Sequence, residues 1–238
     1  MAPTQREREA ARKRQAKADA RRAAARARKQ RLAGFVAIAV VVGLVGTGLV
    51  ASLAGGAPGG AADAPTSAPD PALAEGRTWT ATIATSVGDI TVELFGAEAP
   101  QAVANFVTLA QDGFFDDTSC HRLVTSGIYV LQCGDPTGTG TGGPAWEFGP
   151  IENAPADDVY PVGTLAMARR PNDGASMGSQ FFLVHQDSTI PSDAAGGYTV
   201  FGRITSGLDV VQAVADAGVV EGGIAPAMPV TIEGVETQ

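Results

Sequence analysis

Apolar and polar side chains alternate in two short runs of the chain, residues 79–83 and 90–94. Such alternation is typical of β-strands that bury one face. The residues between the two runs include Gly88 and Asp89, and both types are common in turns. The pattern therefore predicts a β-hairpin at the start of the folded part of the chain.

Helical spacing replaces this alternation after Pro100. Pro100 stands at the start of the segment and Gly113 at its end, where these residue types favour helix boundaries. The apolar residues between them recur at i, i+3, i+4 and i+7: Val103, Phe106, Val107 and Ala110. A second helix is predicted over residues 208–217, and its inward positions are Leu208, Val211 and Val214.

Further strand-like runs occupy residues 123–124, 128–131, 164–168, 180–184, 199–201 and 230–232. Many short strands, two isolated helices and numerous glycine turns are typical of a closed antiparallel β-barrel with helices over its ends. The strand–helix alternation of a parallel sheet is missing. The pattern predicts a mainly β domain over residues 77–238.

Charge is divided sharply along the chain. Residues 1–31 hold twelve basic and three acidic side chains, whereas the remainder holds five basic and 22 acidic ones. The basic arm could bind nucleic acid through phosphate, or it could contact lipid headgroups. Because an apolar stretch follows it directly, we expect the lipid contact and no nucleic-acid partner.

Residues 32–54 form that apolar stretch, 23 residues without a charge. A membrane-spanning helix needs about 20 such residues. A cleavable signal peptide is the alternative, but its apolar core is usually shorter, about 7–15 residues. We therefore predict a single-pass anchor in the cell membrane. The positive-inside rule places residues 1–31 in the cytoplasm and the rest of the chain outside it.

Residues 55–76 are almost entirely Gly, Ala and Pro with a few acids. This composition cannot bury a core, and it predicts a flexible linker between the anchor and the domain.

Two motif matches lack the context that their chemistry requires. Residues 174–178 match the G-x-S-x-G elbow of serine hydrolases, but a strand-like run follows where that motif needs a helix. Residues 138–143 match G-x-G-x-x-G, but no helix start follows them, as a dinucleotide site would require. The second segment is better interpreted as a flexible loop at the rim of a cleft.

The cysteines and histidines of the chain do not have metal-site spacing. Neither a C-x-x-C pair nor a spaced histidine pair is present, so no metal site is predicted. Cys120 and Cys133 flank a predicted hairpin. They could form a disulfide across it or remain two buried thiols, and the sequence leaves both alternatives open.

Arg122 is a cation in a part of the chain where cations are scarce. Residues 77–238 contain no lysine and five arginines: Arg77, Arg122, Arg169, Arg170 and Arg203. An arginine within an apolar, β-branched stretch tends either to pair with a carboxylate or to face a cleft.

Several segments together resemble the cyclophilin-type peptidyl-prolyl cis/trans isomerases, in a membrane-anchored bacterial form. They are Cys120-His-Arg-Leu-Val124, Gly127-Ile-Tyr-Val-Leu-Gln-Cys-Gly-Asp135, Leu165-Ala-Met-Ala168, Gly178-Ser-Gln-Phe-Phe182 and Tyr198-Thr-Val-Phe-Gly202. The resemblance covers essentially all of residues 77–238. It implies a closed eight-stranded antiparallel barrel capped by two α-helices.

The resemblance also implies roles for individual residues. Arg122 would be the catalytic residue, donating a hydrogen bond to the prolyl nitrogen, and Gln132 would orient it. The implied substrate-binding residues are His121, Tyr129, Val130, Gln132, Gly140, Ala168, Arg169, Gln180, Phe182, Ile190 and Tyr198. Among them, Phe182, Tyr129 and Val130 would line the pocket for the proline ring.

The chain departs from the family pattern at some of these positions. Tyr198 stands where a pocket histidine is common, and Arg169 replaces the usual asparagine. Ile190 is the nearest match to a pocket tryptophan. Arg169 and Arg170 together predict positive charge on the cleft rim.

The function implied is isomerisation of Xaa-Pro bonds during the folding of extracytoplasmic proteins. It needs no cofactor, takes proline-containing polypeptides as partners, and implies a monomeric catalytic domain. The alternative is a catalytically weak module that binds proline-containing peptides at the membrane.

Overall fold

The computed structural model describes residues 67–238. Within them the strands are β1 (Thr78–Thr85), β2 (Gly88–Phe95), β3 (Thr118–Ser119), β4 (Arg122–Ser126), β5 (Ile128–Cys133), β6 (Val159–Tyr160), β7 (Thr164–Met167), β8 (Phe181–Val184), β9 (Ser188–Thr189), β10 (Val200–Ser206) and β11 (Thr231–Thr237). The α-helices are α1 (Pro100–Gln111) and α2 (Leu208–Asp216). The predicted basic arm, membrane anchor and residues 55–66 of the linker lie outside the described residues.

Nine strands form one antiparallel sheet in the order β3-β11-β1-β2-β10-β7-β8-β5-β4, and β6 pairs with β9 in a second, two-stranded sheet. The large sheet curls into a half-barrel, which corrects the closed eight-stranded barrel of the prediction. The reason lies at Cys120 and His121, between β3 and β4. The Cys120 amide bonds the Val230 carbonyl beside β11, whereas the His121 amide bonds the Gln132 carbonyl of β5. The edge strands β3 and β4 are therefore connected by Cys120 and His121 of the chain and not by a ladder of interstrand hydrogen bonds.

The predicted hairpin and both predicted helices are confirmed. Thr85 pairs with Gly88 across a tight turn, and its hydroxyl accepts a hydrogen bond of 3.2 Å from the Val87 amide. The four apolar positions predicted to face inward on α1 are buried. On α2, Val211 and Val214 are buried and Leu208 is half-buried.

An unexpected contact completes the start of α1. Its N-cap residue is Ala99, which has no side-chain hydrogen-bonding group. The Glu152 carboxylate instead accepts hydrogen bonds from the amides of Gln101 and Ala102, both at 3.0 Å. A negative charge at this end of a helix is favourable, because unpaired amides and the helix dipole meet there.

Part of the predicted linker belongs to the folded domain. A 3-10 helix spans Pro71–Ala74, and Ala74 is fully buried. The Ala74 carbonyl accepts a hydrogen bond of 2.9 Å from the indole of Trp79, and the Pro69 carbonyl accepts one of 2.8 Å from Gln101. Residues 69–76 therefore pack on the domain that was predicted to begin at residue 77.

Within residues 67–238, no helix combines the length and apolar character that a membrane crossing requires.

The curled sheet carries an apolar cluster on each face. Neighbouring residues of β5, β7 and β8 belong to different clusters, because successive side chains of a strand point to opposite faces. The larger cluster contains Leu131, Leu165 and Leu183 and continues onto α1. The smaller cluster contains Val130, Ala166 and Phe182. Both faces are thus packed, and the smaller cluster shares its face with Arg122 and Gln132.

Candidate active site

Four paired residues form a row across the face of the sheet that carries the smaller apolar cluster. The pairing places Arg122 of β4 opposite Gln132 of β5, Gln132 opposite Phe182 of β8, and Phe182 opposite Ala166 of β7. Directly paired residues lie about 4.5–5.5 Å apart. Strand register therefore brings the cation, the amide and the aromatic ring together, although the residues are up to 60 positions apart in the chain.

A relay of side-chain hydrogen bonds holds Arg122. Its Nη1 donates to Gln132 Oε1 at 3.0 Å, and Gln132 Nε2 donates to Gln180 Oε1 at 2.8 Å. Gln180 Nε2 in turn donates to the Gly142 carbonyl at 2.9 Å. Each glutamine amide donates away from Arg122, so the relay holds the guanidinium through one nitrogen, Nη1.

The structure decides between the two explanations for Arg122. None of the ion pairs within residues 67–238 includes it. No hydrogen bond from the same residues occupies its Nε or Nη2. The side chain is only half-buried. The ion-pair explanation is therefore excluded, and the guanidinium retains unused donors beside Gln132, which lines the cleft.

An apolar cluster of side chains, referred to below as the apolar pocket, lies beside the guanidinium. Its buried members are Val130, Tyr160, Ala166, Phe182, Val184 and Ile190, and Ile128, Ala168 and Tyr198 pack against them. The Tyr198 ring meets Phe182 edge-on, with 5.6 Å between ring centroids. The structure thus brings together four of the residues predicted to line the site, Val130, Phe182, Ile190 and Tyr198.

Tyr129 does not belong to this pocket. Its partner in β4 is Thr125, three positions from Arg122, and this odd spacing places the Tyr129 side chain on the other face. There its ring lies 5.8 Å from the His185 ring. Ile128 is on the pocket face instead. The sequence already indicates that Ile128 shares a face with Val130, because residues two apart in a strand point to the same side.

Asp135 holds the Gly/Thr loop at one end of the cleft. The carboxylate is fully buried, and it accepts hydrogen bonds from the Thr137 amide at 2.7 Å, the Thr137 hydroxyl at 2.8 Å and the Gly140 amide at 2.5 Å. Burial alone would raise the pKa of Asp135, but these donors and the Gly142 amide lower it well below its usual range. Asp135 is therefore a fixed anion that orders the loop.

His121 packs beneath the same loop. A side chain at Gly140 would begin 3.6 Å from His121 Cδ2, so the loop lies directly over the ring. Burial lowers the pKa of His121; the Asp135 charge opposes this shift and the Arg122 charge adds to it. A hydrogen bond between the ring and the Ser119 backbone also opposes the shift, but burial outweighs it. The imidazole is thus neutral at physiological pH and supports the loop by packing.

Arg169 and Arg170 do not add free positive charge to the rim. The Arg169 side chain is 1% exposed and pairs with Asp193. Arg170 is exposed and pairs with Glu147 and Asp173. The Ala168 amide donates to the Gln180 carbonyl at 2.9 Å. Both arginines line the cleft as predicted, but carboxylates from three loops pair with them, so the expected free positive charge is absent from this part of the rim.

A cleft of ≈ 320 Å³ opens beside the apolar pocket. Gln132 and Gln180 of the relay line this cleft, and so do Ala168 and Gly140. The site therefore combines an apolar cluster with an adjoining, more polar cleft.

Cys120 and Cys133 form a disulfide in the structure, with their Cα atoms 4.0 Å apart. The bridge joins the residue two positions before Arg122 to the residue directly after Gln132. Both partners of the Arg122–Gln132 pair are thereby tied to the same covalent link.

The remaining sequence motifs carry no chemistry. Ser176 of the G-x-S-x-G match is buried, accepts a hydrogen bond from the Arg170 amide and donates to the Asp173 carbonyl, so it shapes a turn. Within residues 67–238, no group of three or more His, Cys, Asp or Glu side chains could hold a metal ion.

Residues 80–237 match the model of one protein family, cyclophilin type peptidyl-prolyl cis-trans isomerase/CLD. The chain is similar to the probable peptidyl-prolyl cis-trans isomerase B of Mycobacterium tuberculosis, at 46% identity over 166 residues, 63% of this chain and 52% of that protein. It is also similar to a peptidyl-prolyl cis-trans isomerase of Helicobacter pylori, at 42% identity over 61% of this chain and 85% of that protein. The chain spans about half the length of the mycobacterial relatives.

A solved structure has a similar fold. The crystal structure of a Cryptosporidium parvum cyclophilin type peptidyl-prolyl cis-trans isomerase, determined in the presence of the dipeptide Ala-Pro, has a TM-score of 0.57 and 29% identity. The match covers 67% of this chain and 98% of that one.

Proposed function

Because the chain belongs to the cyclophilin-type peptidyl-prolyl cis/trans isomerase family, we propose that its folded domain accelerates the isomerisation of Xaa-Pro bonds in polypeptides. The observation that carries the proposal is the row of Arg122, Gln132 and Phe182. It places an apolar pocket suited to a proline ring next to a cation with unused donors.

The reaction requires no covalent chemistry. Amide resonance sets a barrier of about 18–20 kcal/mol to rotation about the Xaa-Pro bond. As the bond twists, the prolyl nitrogen becomes pyramidal and its lone pair is no longer shared with the carbonyl. A hydrogen bond donated to that lone pair stabilises the twisted state more than the planar one, so it lowers the barrier.

Each residue of the relay has a part in this proposal. The Phe182 pocket holds the proline ring, and Arg122 supplies the donor. Gln132 and Gln180 restrain Arg122, so little reorganisation is needed when the bond twists. No residue of the site has to change its protonation state.

Replacement of Arg122 tests the proposal. We expect Arg122→Ala to reduce kcat/KM for a short Ala-Pro peptide by about 10²–10³-fold, as loss of one transition-state donor does elsewhere. Arg203→Ala is the matched control, because Arg203 forms an exposed ion pair with Glu93 away from the row. A peptide cis/trans assay gives both values.

Two results would contradict an enzymatic role. One is a rate for Arg122→Ala within twofold of the unaltered chain. The other is a chain that binds Xaa-Pro peptides without accelerating their isomerisation, which would favour the alternative of a proline-peptide binding module.

We further propose that a single-pass anchor at residues 32–54 holds the domain, as a monomer, on the outer side of the cell membrane, where its clients would be extracytoplasmic polypeptides. The uncharged 23-residue stretch and the basic arm before it support this topology. The Cys120–Cys133 disulfide also supports it, since disulfides persist mainly outside the cytoplasm.

Protease added to intact cells tests the topology. We expect it to digest residues 67–238 and to spare residues 1–31, and a membrane-impermeant thiol reagent should label the two cysteines only after reduction. A domain that stays protected until the cells are lysed would refute the outward orientation.

A further inference from the structure

The two departures at Arg169 and Tyr198 are in direct contact. The family resemblance implies asparagine and histidine at these two positions. Here the Arg169 guanidinium carbon lies over the Tyr198 ring, 4.6 Å from its centroid. A guanidinium at this distance from an aromatic face makes a favourable cation–π contact. The two residues therefore act as one unit.

Hydrogen bonds to one carboxylate and three backbone carbonyls hold the Arg169 guanidinium in place. It forms a two-pronged pair with the Asp193 carboxylate, at 2.8 and 3.0 Å. It also donates to the carbonyls of Arg170, Gly196 and Gly197, at 3.0, 2.5 and 2.9 Å. Because the guanidinium is planar and its donors form a rigid fork, this set fixes the plane that faces Tyr198.

Asp193 extends the same network to the neighbouring loop. Its carboxylate accepts hydrogen bonds from the amides of Asn172 and Ala195, at 2.8 and 2.9 Å. The carboxylate thus connects residues 170–172, after β7, to residues 193–197, before β10. The segment that carries Tyr198 is tied to the rest of the domain through Arg169 and Asp193.

Tyr198 is the part of this unit that reaches the pocket. Its backbone is held in place, because the Tyr198 amide donates a hydrogen bond of 2.8 Å to the Tyr160 hydroxyl. Its ring meets Phe182 edge-on at 5.6 Å, and it packs against the apolar cluster while remaining half-buried. Tyr198 is thus a pocket wall with the Arg169 cation over its ring.

We propose that Arg169 is a positioning residue, which fixes Tyr198 as one wall of the apolar pocket and so sets the affinity of the pocket for the substrate ring. The inference rests on the proposed function. A half-buried tyrosine without the stacked cation would sample other rotamers, and a ligand would then have to order it on binding. In the order of the strands, Arg122 of β4 and Tyr198, which precedes β10, lie on opposite sides of Phe182.

Kinetics of Arg169→Lys in the full chain test this role. Lysine retains the positive charge but cannot form the planar fork. We expect KM for a short Ala-Pro peptide to rise about tenfold and kcat to change less than twofold. Arg203→Lys, which alters an exposed arginine on β10, is the matched control and should leave both constants unchanged. A KM for Arg169→Lys within twofold of the unaltered chain would overturn the proposal.

A double-variant cycle separates positioning through Tyr198 from general support of the fold. If Arg169 acts through Tyr198, then Tyr198→Leu alone raises KM, and adding Arg169→Lys raises it no further. Multiplied effects of the two changes would instead show that Arg169 acts independently of Tyr198, and the proposal would fail.

A spectroscopic readout reports on the ring itself. The chain has three tyrosines, so ¹³C-tyrosine labelling gives a simple spectrum. We expect Arg169→Lys to shift or broaden the Tyr198 ring signals; unchanged signals would refute the inference. If the unaltered chain proves not to accelerate isomerisation, the dissociation constant of the same peptide replaces KM, so failure of the enzymatic proposal and failure of the Arg169 inference remain distinguishable.

Discussion

Asp135 illustrates how one buried charge orders the Gly/Thr loop beside Arg122. Its carboxylate accepts hydrogen bonds from Thr137 and Gly140, and charge-assisted bonds of this kind contribute about 1.5–3 kcal/mol. We expect Asp135→Asn to lower the free energy of unfolding by about 2–3 kcal/mol at pH 7. Urea denaturation measures the difference, with exposed Asp89→Asn as the control.

The same residue predicts a pH dependence. Because folding lowers the pKa of Asp135, its stabilising contribution is complete above the pKa of the unfolded chain, about 3.9. The contribution is lost as the pH falls from there through the lower pKa of the folded state. The stability difference between the unaltered chain and Asp135→Asn should therefore shrink below about pH 4. A difference that stays constant from pH 7 to pH 3 would contradict this account.

At single residues, the sequence predicted the chemical type of a side chain better than the partner that the side chain contacts. An arginine in an apolar strand had two explanations, and only the absence of a carboxylate partner among residues 67–238 selected the cleft. Arg169 lines the cleft as expected, but its charge is paired with Asp193, 24 residues away. A charge can be located from sequence, but its partner depends on loops that meet only in the folded chain.

Helix α1 depends on a contact from a distant loop. Glu152 satisfies the amides of Gln101 and Ala102, which the N-cap residue Ala99 cannot do. Loss of a helix cap costs about 1 kcal/mol, within a range of about 0.5–2. We expect Glu152→Ala to lower the free energy of unfolding by about that amount, and Glu152→Gln, which keeps one acceptor, by less. Thermal unfolding followed by circular dichroism measures both.

Glu221 provides the control for this prediction, because it is exposed in the loop after α2. Glu221→Ala should leave the midpoint unchanged. Equal midpoints for Glu152→Ala and Glu221→Ala would show that the cap contributes nothing.

Element type was predictable where a periodic pattern was long enough. The β1–β2 hairpin and both α-helices have several repeats of their period, and each is found where predicted. The strands β3, β6 and β9 have two residues each, too few to show any alternation, and the sequence did not predict them. Their existence depends on their partners, as the pairing of β3 with β11 shows.

The extent of the folded domain is a property of the whole molecule. Residues 69–76 cover the Trp79 indole and α1, although their composition resembles the linker. A chain that begins at residue 77 loses the hydrogen bond from the Trp79 indole to the Ala74 carbonyl, at a cost of about 0.5–1.5 kcal/mol, together with the burial of Ala74. We expect it to unfold at a lower urea concentration than a chain that begins at residue 67.

A third chain that begins at residue 69 serves as the reference, since it retains both contacts. It should match the chain that begins at residue 67. Equal midpoints for the starts at residues 67 and 77 would contradict a structural role for this segment.

The sequence by itself determined the residue types of the site, the hairpin, both helices and the mainly β class, because strand and helix periods are local. The order of the strands, the open edge at Cys120, the pairing of Arg169 with Asp193 and the face occupied by Tyr129 were decided only by tertiary structure. These features depend on which distant segments meet. The row of Arg122, Gln132 and Phe182 combines both levels, since the chain supplies the side chains and strand register brings them together.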